Sequence, residues 1–359
     1  MVSRTGGGPP FVTDAYTVTE PGGRITLEPV QYWGIAEREA AIEIETSAVS
    51  ICATDLKAAA GKFLMGPPML LGHECAGTIT RVSYNIFSGT IPLKEGDKVV
   101  LSYASCRECP ACELGDNAYC RELAKLNFTG VRDNGSTMMA VVTRDDRLVH
   151  LKGLFFGQSS MGRRILARPA CAVKLPDDTT EEEMRMFASL GCGIQTGAGA
   201  IFNVAKPPPN SRILIFGAGT VGLSACLAAK LTSPEKLVVV DHSMLKLAML
   251  PTCIKEAATD LVDSSDAKED ELVNRLKALT RDGQGYDYAL DCVGRGDLVK
   301  IGHLALRPRG TVVTVGGSTD TALQVTLSQH LTRGITYKGT HQGDSVPSVV
   351  SSYATWGGV

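Results

Sequence analysis

Cys106, Cys109, Cys112 and Cys120 stand within fifteen residues in the pattern C-x2-C-x2-C-x7-C, interrupted by Pro110 and Gly115 and not by an apolar period. A segment of that composition has little to gain from packing, whereas four thiolates with no open position suit a closed tetrahedral zinc site. The competing arrangement is a pair of disulfides. Residues 1–10 read MVSRTGGGPP and lack the apolar stretch of a secretory signal, so a reducing, cytoplasmic setting is expected and zinc is favoured. The expectation is a structural metal lobe at about residues 102–122.

A second set, Cys52, His73 and Cys192, offers two thiolates and one imidazole. A metal held by three such ligands keeps a fourth position for water or substrate. Spacing alone does not separate these residues from a buried cysteine or a satisfied core histidine.

The run from Ile213 to Ala229 has no charge, but its glycines argue against a membrane span. Arg212–Phe216 is a short β-prone segment, Gly217-Ala-Gly219-Thr-Val-Gly222 is a tight turn, and the Ala- and Leu-rich stretch to Lys230 has helical composition. A G-x-G-x-x-G sequence between strand and helix lets a pyrophosphate approach the backbone at the helix N-terminus. The next strand, Lys236–Asp241, ends in an acid nineteen residues after Gly222. Such an acid accepts hydrogen bonds from ribose hydroxyls and repels a 2′-phosphate, which favours NAD; the alternative is a surface aspartate ending a strand. Strands at 260–263, 286–291 and 310–315, with helices at 267–281 and 298–306, extend the unit into a doubly wound parallel sheet.

The first 180 residues are rich in Gly, Pro and β-branched types and predict a β-rich, barrel-like domain. A chain of 359 residues exceeds what one core supports, so two domains are expected. With 36 basic and 38 acidic residues the formal charge is −2, which gives no footprint for nucleic acid or for an anionic membrane.

Pro68-Met-Leu-Leu-Gly-His73-Glu-Cys-Ala-Gly77 and Cys52-Ala-Thr-Asp55 resemble the zinc-binding segments of the medium-chain zinc-dependent alcohol dehydrogenases. The resemblance runs from about residue 20 to the end and takes in the four-cysteine lobe and the glycine turn. Asn127-Phe-Thr-Gly130, Asp133-Asn-Gly135 and Gly339-Thr-His-Gln-Gly-Asp-Ser-Val-Pro347 are similar to the aryl (benzyl-type) branch. The implied α/β fold has a GroES-like β-rich catalytic domain at 1–190, a Rossmann NAD-binding domain at 191–333, and a return segment at 334–359 that ends before the elements family members usually add.

By the same resemblance, Cys52, His73 and Cys192 hold a catalytic zinc, and the four-cysteine lobe brings the expected total to two zinc ions per chain. Thr54 relays the proton of the alcohol, Asp55 holds the far ring nitrogen of His73, and Glu74 lies beside the metal. Thr196 touches the nicotinamide, Lys246 the adenosine ribose, and Val293 and Val315 line the cofactor cleft. Lys57 stands where many members carry a relay histidine, and Ala53 where some carry a basic residue.

The implied activity is reversible NAD-linked oxidation of an alcohol to its aldehyde or ketone, with aryl or bulky apolar substrates favoured, in a homo-oligomer of two or four subunits. A polyol dehydrogenase, an NADPH-linked carbonyl reductase and a non-catalytic metal- and nucleotide-binding relative are the alternatives.

Overall fold

The computed structural model describes residues 10–36, 39–83, 86–88, 91–142, 147–317, 322–324 and 326–347. Two compact units divide them, one reaching Cys192 and resuming at Val346, the other Gly193–Ser345.

The first unit is built on β1 (Pro10–Val18), β2 (Thr26–Trp33), β3 (Ile42–Val49), β4 (Met69–Leu70), β5 (Cys75–Val82), β6 (Phe87–Ser88), β7 (Ile91–Pro92), β8 (Lys98–Leu101), β9 (Met139–Val142), β10 (Leu148–Leu151), β11 (Arg164–Ala167) and β12 (Ala172–Lys174). These strands form two five-stranded sheets, β10-β9-β2-β1-β4 and β11-β3-β5-β8-β12, and the short ribbon β6-β7. Alternation sets the faces. In β1, Thr13, Ala15 and Thr17 are buried while Val12, Asp14 and Tyr16 are exposed, the period-2 signature of a half-buried strand. Ala15, Val30, Tyr32, Leu70 and Val141 belong to one buried cluster, and Ile42, Ile44, Ile79, Val99, Leu101 and Ile165 to another. Ser83 both donates to the Ala41 carbonyl and accepts the Ala41 N–H, closing the end of the β3–β5 pair.

The second unit carries β13 (Arg212–Phe216), β14 (Lys236–Asp241), β15 (Asp260–Asp263), β16 (Tyr286–Asp291), β17 (Leu306–Thr314) and β18 (Thr336–Gly339). They form one parallel sheet in the order β15-β14-β13-β16-β17-β18, so the chain reverses direction across the sheet between β13 and β16. Ligands of open α/β sheets bind beyond the strand ends at such a switch point. Leu237, Val238, Val239 and Val240 are buried in succession, as a strand covered on both faces requires.

β17 begins at Leu306, earlier than its apolar run suggests, because Leu306 pairs with Tyr286 across a bulge. Residues 334–345, expected in the return segment, lie in the second unit, since β18 adds to β17 there. Residues 348–359 fall outside the described residues.

Candidate metal centres and cofactor turn

His73 follows a backbone turn that only glycine accommodates. Gly72 has φ +97°, and a Cβ on it would lie 2.5 Å from the Met161 nitrogen. The turn presents the His73 ring to Asp55, whose Oδ1 lies 3.1 Å from Nδ1 and also accepts the Gly72 N–H at 3.0 Å. The other carboxylate oxygen accepts the Cys52 N–H at 3.0 Å, at the start of the helix Ala53–Ala59. One buried aspartate therefore joins the Cys52 and His73 segments. With Nδ1 facing a carboxylate, the ring proton belongs there and Nε2 is left for ligation. That atom is buried with no hydrogen-bond partner.

Cys192 arrives from the short turn Ala188–Gly191. The sulfurs of Cys52 and Cys192, a ring nitrogen of His73 and a carboxylate oxygen of Glu74 all lie within 4.8 Å of one another. The hydrogen bond with Cys192, aided by His73, holds the Cys52 thiol down at about 3 against the cost of burial. The same bond, together with burial, pushes Cys192 up. Burial disfavours charge on His73, but Asp55 and Cys52 outweigh it and raise its pKa to about 10. Burial and the Cys52 charge push Glu74 up to about 7. Ligation takes thiolates and a neutral imidazole, so protons leave as a metal binds. An unpartnered Nε2 facing two sulfurs is a donor set that fits zinc.

The four-cysteine lobe brings Cys106, Cys109, Cys112 and Cys120 together within the same 4.8 Å limit. All eleven cysteines are free. Cys106 Sγ and Cys112 Sγ are 3.9 Å apart, too far for a disulfide and close to the edge of about 3.8 Å that a tetrahedron with ~2.3 Å Zn–S bonds would have. Backbone N–H groups of Cys106 and Arg121 point at the sulfurs of Cys120 and Cys109, and the Arg121 contact draws the Cys109 thiol down.

Thr54 Oγ1 lies 3.6 Å from Cys52 Sγ, and Thr54 and Lys57 are both half-buried, one turn apart on the helix Ala53–Ala59. Phe156 stacks on the His73 ring at 4.6 Å and Phe155 meets it edge-on at 5.4 Å, with Phe63 and Phe128 packed against Phe156.

In the second unit Gly217–Gly222 forms the turn into the helix Thr220–Lys230. A Cβ on Gly222 would lie 1.8 Å from the Gly217 carbonyl oxygen, so helix and strand can approach only there. A Cβ on Gly219 would meet no protein atom within 4 Å, which leaves room for a phosphate. Asp241 accepts the Ala218 N–H at 2.8 Å on one oxygen and the Ser243 N–H at 2.9 Å on the other, and Lys246 Nζ is 3.8 Å away. This acid thus braces the glycine turn. These groups fit a dinucleotide.

Val293 is exposed over Gly217, and the Val315 N–H donates to the Asp291 carbonyl. Thr196 is buried and its hydroxyl donates to Gln342 Oε1 at 3.2 Å. Gln342, inside the stretch similar to the aryl branch, has no role assigned from the sequence, and neither has Asp291, a buried acid that accepts the N–H groups of Val293 and Gly294. For Asp291 the signal is an acid at the end of a parallel strand, the place Asp241 also occupies.

Residues 38–153 match the family described as alcohol dehydrogenase GroES-like domain, and residues 220–355 that described as zinc-binding dehydrogenase. Geraniol dehydrogenase of Castellaniella defragrans is 34% identical over 337 residues, covering 93% of this chain and 84% of that protein. The crystal structure of benzyl alcohol dehydrogenase from Acinetobacter calcoaceticus superimposes with a TM-score of 0.83 at 30% identity, covering 96% of this chain and 88% of that one. An alcohol dehydrogenase zinc-binding domain protein from Burkholderia ambifaria gives a TM-score of 0.84 at 31% identity, covering 97% and 89%. Family membership implies zinc, a nicotinamide cofactor and oxidoreductase chemistry on CH–OH groups. The chain belongs to the medium-chain zinc-dependent alcohol dehydrogenases.

Proposed function

We propose that the protein oxidises an aryl or bulky apolar alcohol to its aldehyde or ketone with NAD, and catalyses the reverse reaction. The observation that carries this reading is the unpartnered His73 Nε2 between Cys52 and Cys192, with Asp55 fixing the opposite ring nitrogen. Zinc held by these three residues would supply a Lewis acid that polarises the alcohol oxygen and lowers its pKa.

Asp55 keeps the ring in one tautomer and aims it. Thr54, beside Cys52, takes the hydroxyl proton of the substrate and passes it toward water. Lys57, one turn further along the helix, stabilises negative charge developing on the substrate oxygen, and water takes the proton from Thr54 or the cofactor ribose directly. Glu74 remains beside the ligands as an alternative donor. Phe155 and Phe156, buried against the His73 ring with Phe63 and Phe128 packed behind them, exclude water beside the imidazole. In the cofactor domain, Gly217, Gly219 and Gly222 receive the pyrophosphate and Asp241 with Lys246 the adenosine ribose. Thr196, Val293 and Val315 face the nicotinamide end.

Purified protein is expected to hold two zinc ions per chain and to form NADH with benzyl-type alcohols faster than with polyols. Metal analysis returning a single zinc would remove one of the two sites, and a preference for polyols would redirect the substrate assignment.

Asp241 leads to a second expectation. The native enzyme should prefer NAD, because a 2′-phosphate would face a carboxylate. Asp241→Ser should narrow that preference, and it should also lower the unfolding midpoint. The Ala218 and Ser243 N–H groups would lose their acceptor at about 1–3 kcal/mol each if left buried and unpaired. A native enzyme that uses NADP better than NAD would overturn the ribose role.

A reducing, cytoplasmic setting, which keeps thiols available to metal, belongs to the same proposal. No helix among the described residues is long and apolar enough to cross a membrane. A homo-oligomer is part of the same proposal. Among the described residues β18 is the last strand of its sheet and is exposed along its length, and such edges invite pairing with a second chain. Sedimentation of the purified enzyme as a monomer at micromolar concentration would remove this part.

A further inference from the structure

Two buried polar side chains outside the ligand set tie together the segments that carry it. Gln158 is fully buried, and its Nε2 donates to the carbonyl oxygens of His73 and Ser102, each at 2.9 Å. Ser102 is also fully buried, and its hydroxyl donates at 2.7 Å to the carbonyl of Gly191, the residue before Cys192. Only the nitrogen end of a carboxamide can serve two carbonyls, so the Gln158 side chain has one orientation. That orientation leaves Oε1 buried with no hydrogen-bond partner. The arrangement keeps two good bonds and one unmade bond, which is a costly choice for a position that served packing alone.

Seen from the ligands, the connections form an unbroken series. Asp55 links the Cys52 backbone to the His73 ring. Gln158 links the His73 backbone to Ser102, and Ser102 links onward to the peptide that precedes Cys192.

We infer that Gln158 and Ser102 are positioning residues that set the placement of His73 relative to Cys192, as Asp55 does between Cys52 and His73. The inference rests on the reading that Cys52, His73 and Cys192 hold zinc. Zinc bonds have narrow lengths, ~2.3 Å to sulfur and ~2.0 Å to nitrogen, so backbone drift at either segment weakens retention before it disturbs the fold.

The test uses the full-length protein and two variants, Ser102→Ala, which removes one buried oxygen, and Gln158→Met, which keeps the length of the side chain and removes both donors. Zinc release to a chromophoric chelator is followed in time, and the visible absorption of the cobalt-substituted protein reports ligand geometry. Native protein should release two zinc ions in separable phases. Both variants should accelerate the phase of the two-cysteine, one-histidine site by about 10–100-fold and alter the cobalt spectrum. The other phase should keep its native rate, and Ser102→Ala should lower the unfolding midpoint by no more than the few degrees that one buried hydrogen bond accounts for.

Native release rates and cobalt spectra in both variants would overturn the inference. So would equal acceleration of both phases with a midpoint lowered further than that in Ser102→Ala, which marks general loss of packing. Native protein that holds zinc only in the four-cysteine lobe would instead remove the metal site itself, and the positioning role with it.

Discussion

Cys109→Ser is expected to yield protein that loses the zinc of the four-cysteine lobe and unfolds at a markedly lower temperature, by more than about 10 °C. The lobe has little apolar packing of its own, and bonds such as Asn117 to Ser105 and Arg107 to the Ala170 carbonyl, each at 3.0 Å, are modest beside a metal. Its buried cluster consists of Cys109, Cys112 and Cys120 themselves, with Cys106, Ala111, Leu123 and Leu126 packed around them. Structural zinc in small domains contributes about 10–16 kcal/mol of binding free energy, comparable with the whole stability of a typical domain. Serine keeps the shape of the side chain and removes a soft anionic ligand. Metal content and thermal unfolding by circular dichroism read the outcome together. A variant that loses one zinc per chain and still unfolds within about 2 °C of the native protein would show that the lobe stands without its metal.

Thr54→Ala should produce the opposite pattern. Thr54 is half-buried at the mouth of the ligand cluster, so its removal costs little packing, and NAD affinity and unfolding midpoint should stay near native. Turnover should fall by about 10²–10⁴-fold, the usual contribution of a positioned proton-transfer group. Thr54→Ser, which restores the hydroxyl, should recover most of it. Single-turnover measurement with saturating NAD separates the chemical step from cofactor release. Turnover within threefold of native in the alanine variant would take Thr54 off the proton path.

Legibility in the sequence follows the distance over which each feature is specified. The glycine turn and Asp241 could be read because a strand, a turn and a helix must follow one another closely to receive a pyrophosphate. The apolar runs of β13 and β14 likewise declare themselves, since parallel strands are buried on both faces. β18 does not. Its residues Thr336, Tyr337, Lys338 and Gly339 are all exposed, and only pairing with β17 makes them a strand. Gln158 and Ser102 are hidden for a related reason. The Gln158 partners lie 85 and 56 residues away, and the Ser102 partner 89, so no local spacing marks them. Thr196 could be singled out by resemblance, but the bond from its hydroxyl to Gln342 spans 146 residues and exists only once the helix Gly193–Gly199 meets the turn Gln342–Asp344.

The two ligand sets differ in how much of the chain must be in place before they exist. The four cysteines of the lobe sit on a short loop whose closure costs little entropy, so they can capture metal while the chain is still being made. Cys52, His73 and Cys192 meet only after β5 and β8 have paired and the turn Ala188–Gly191 has docked on them. With zinc in both sites, as proposed, the lobe would be able to fill during synthesis and the second site only once the chain has folded. Chain made with just enough zinc for the lobe would then stand folded with its second ligand set empty, ready for a late supply of the ion without new synthesis.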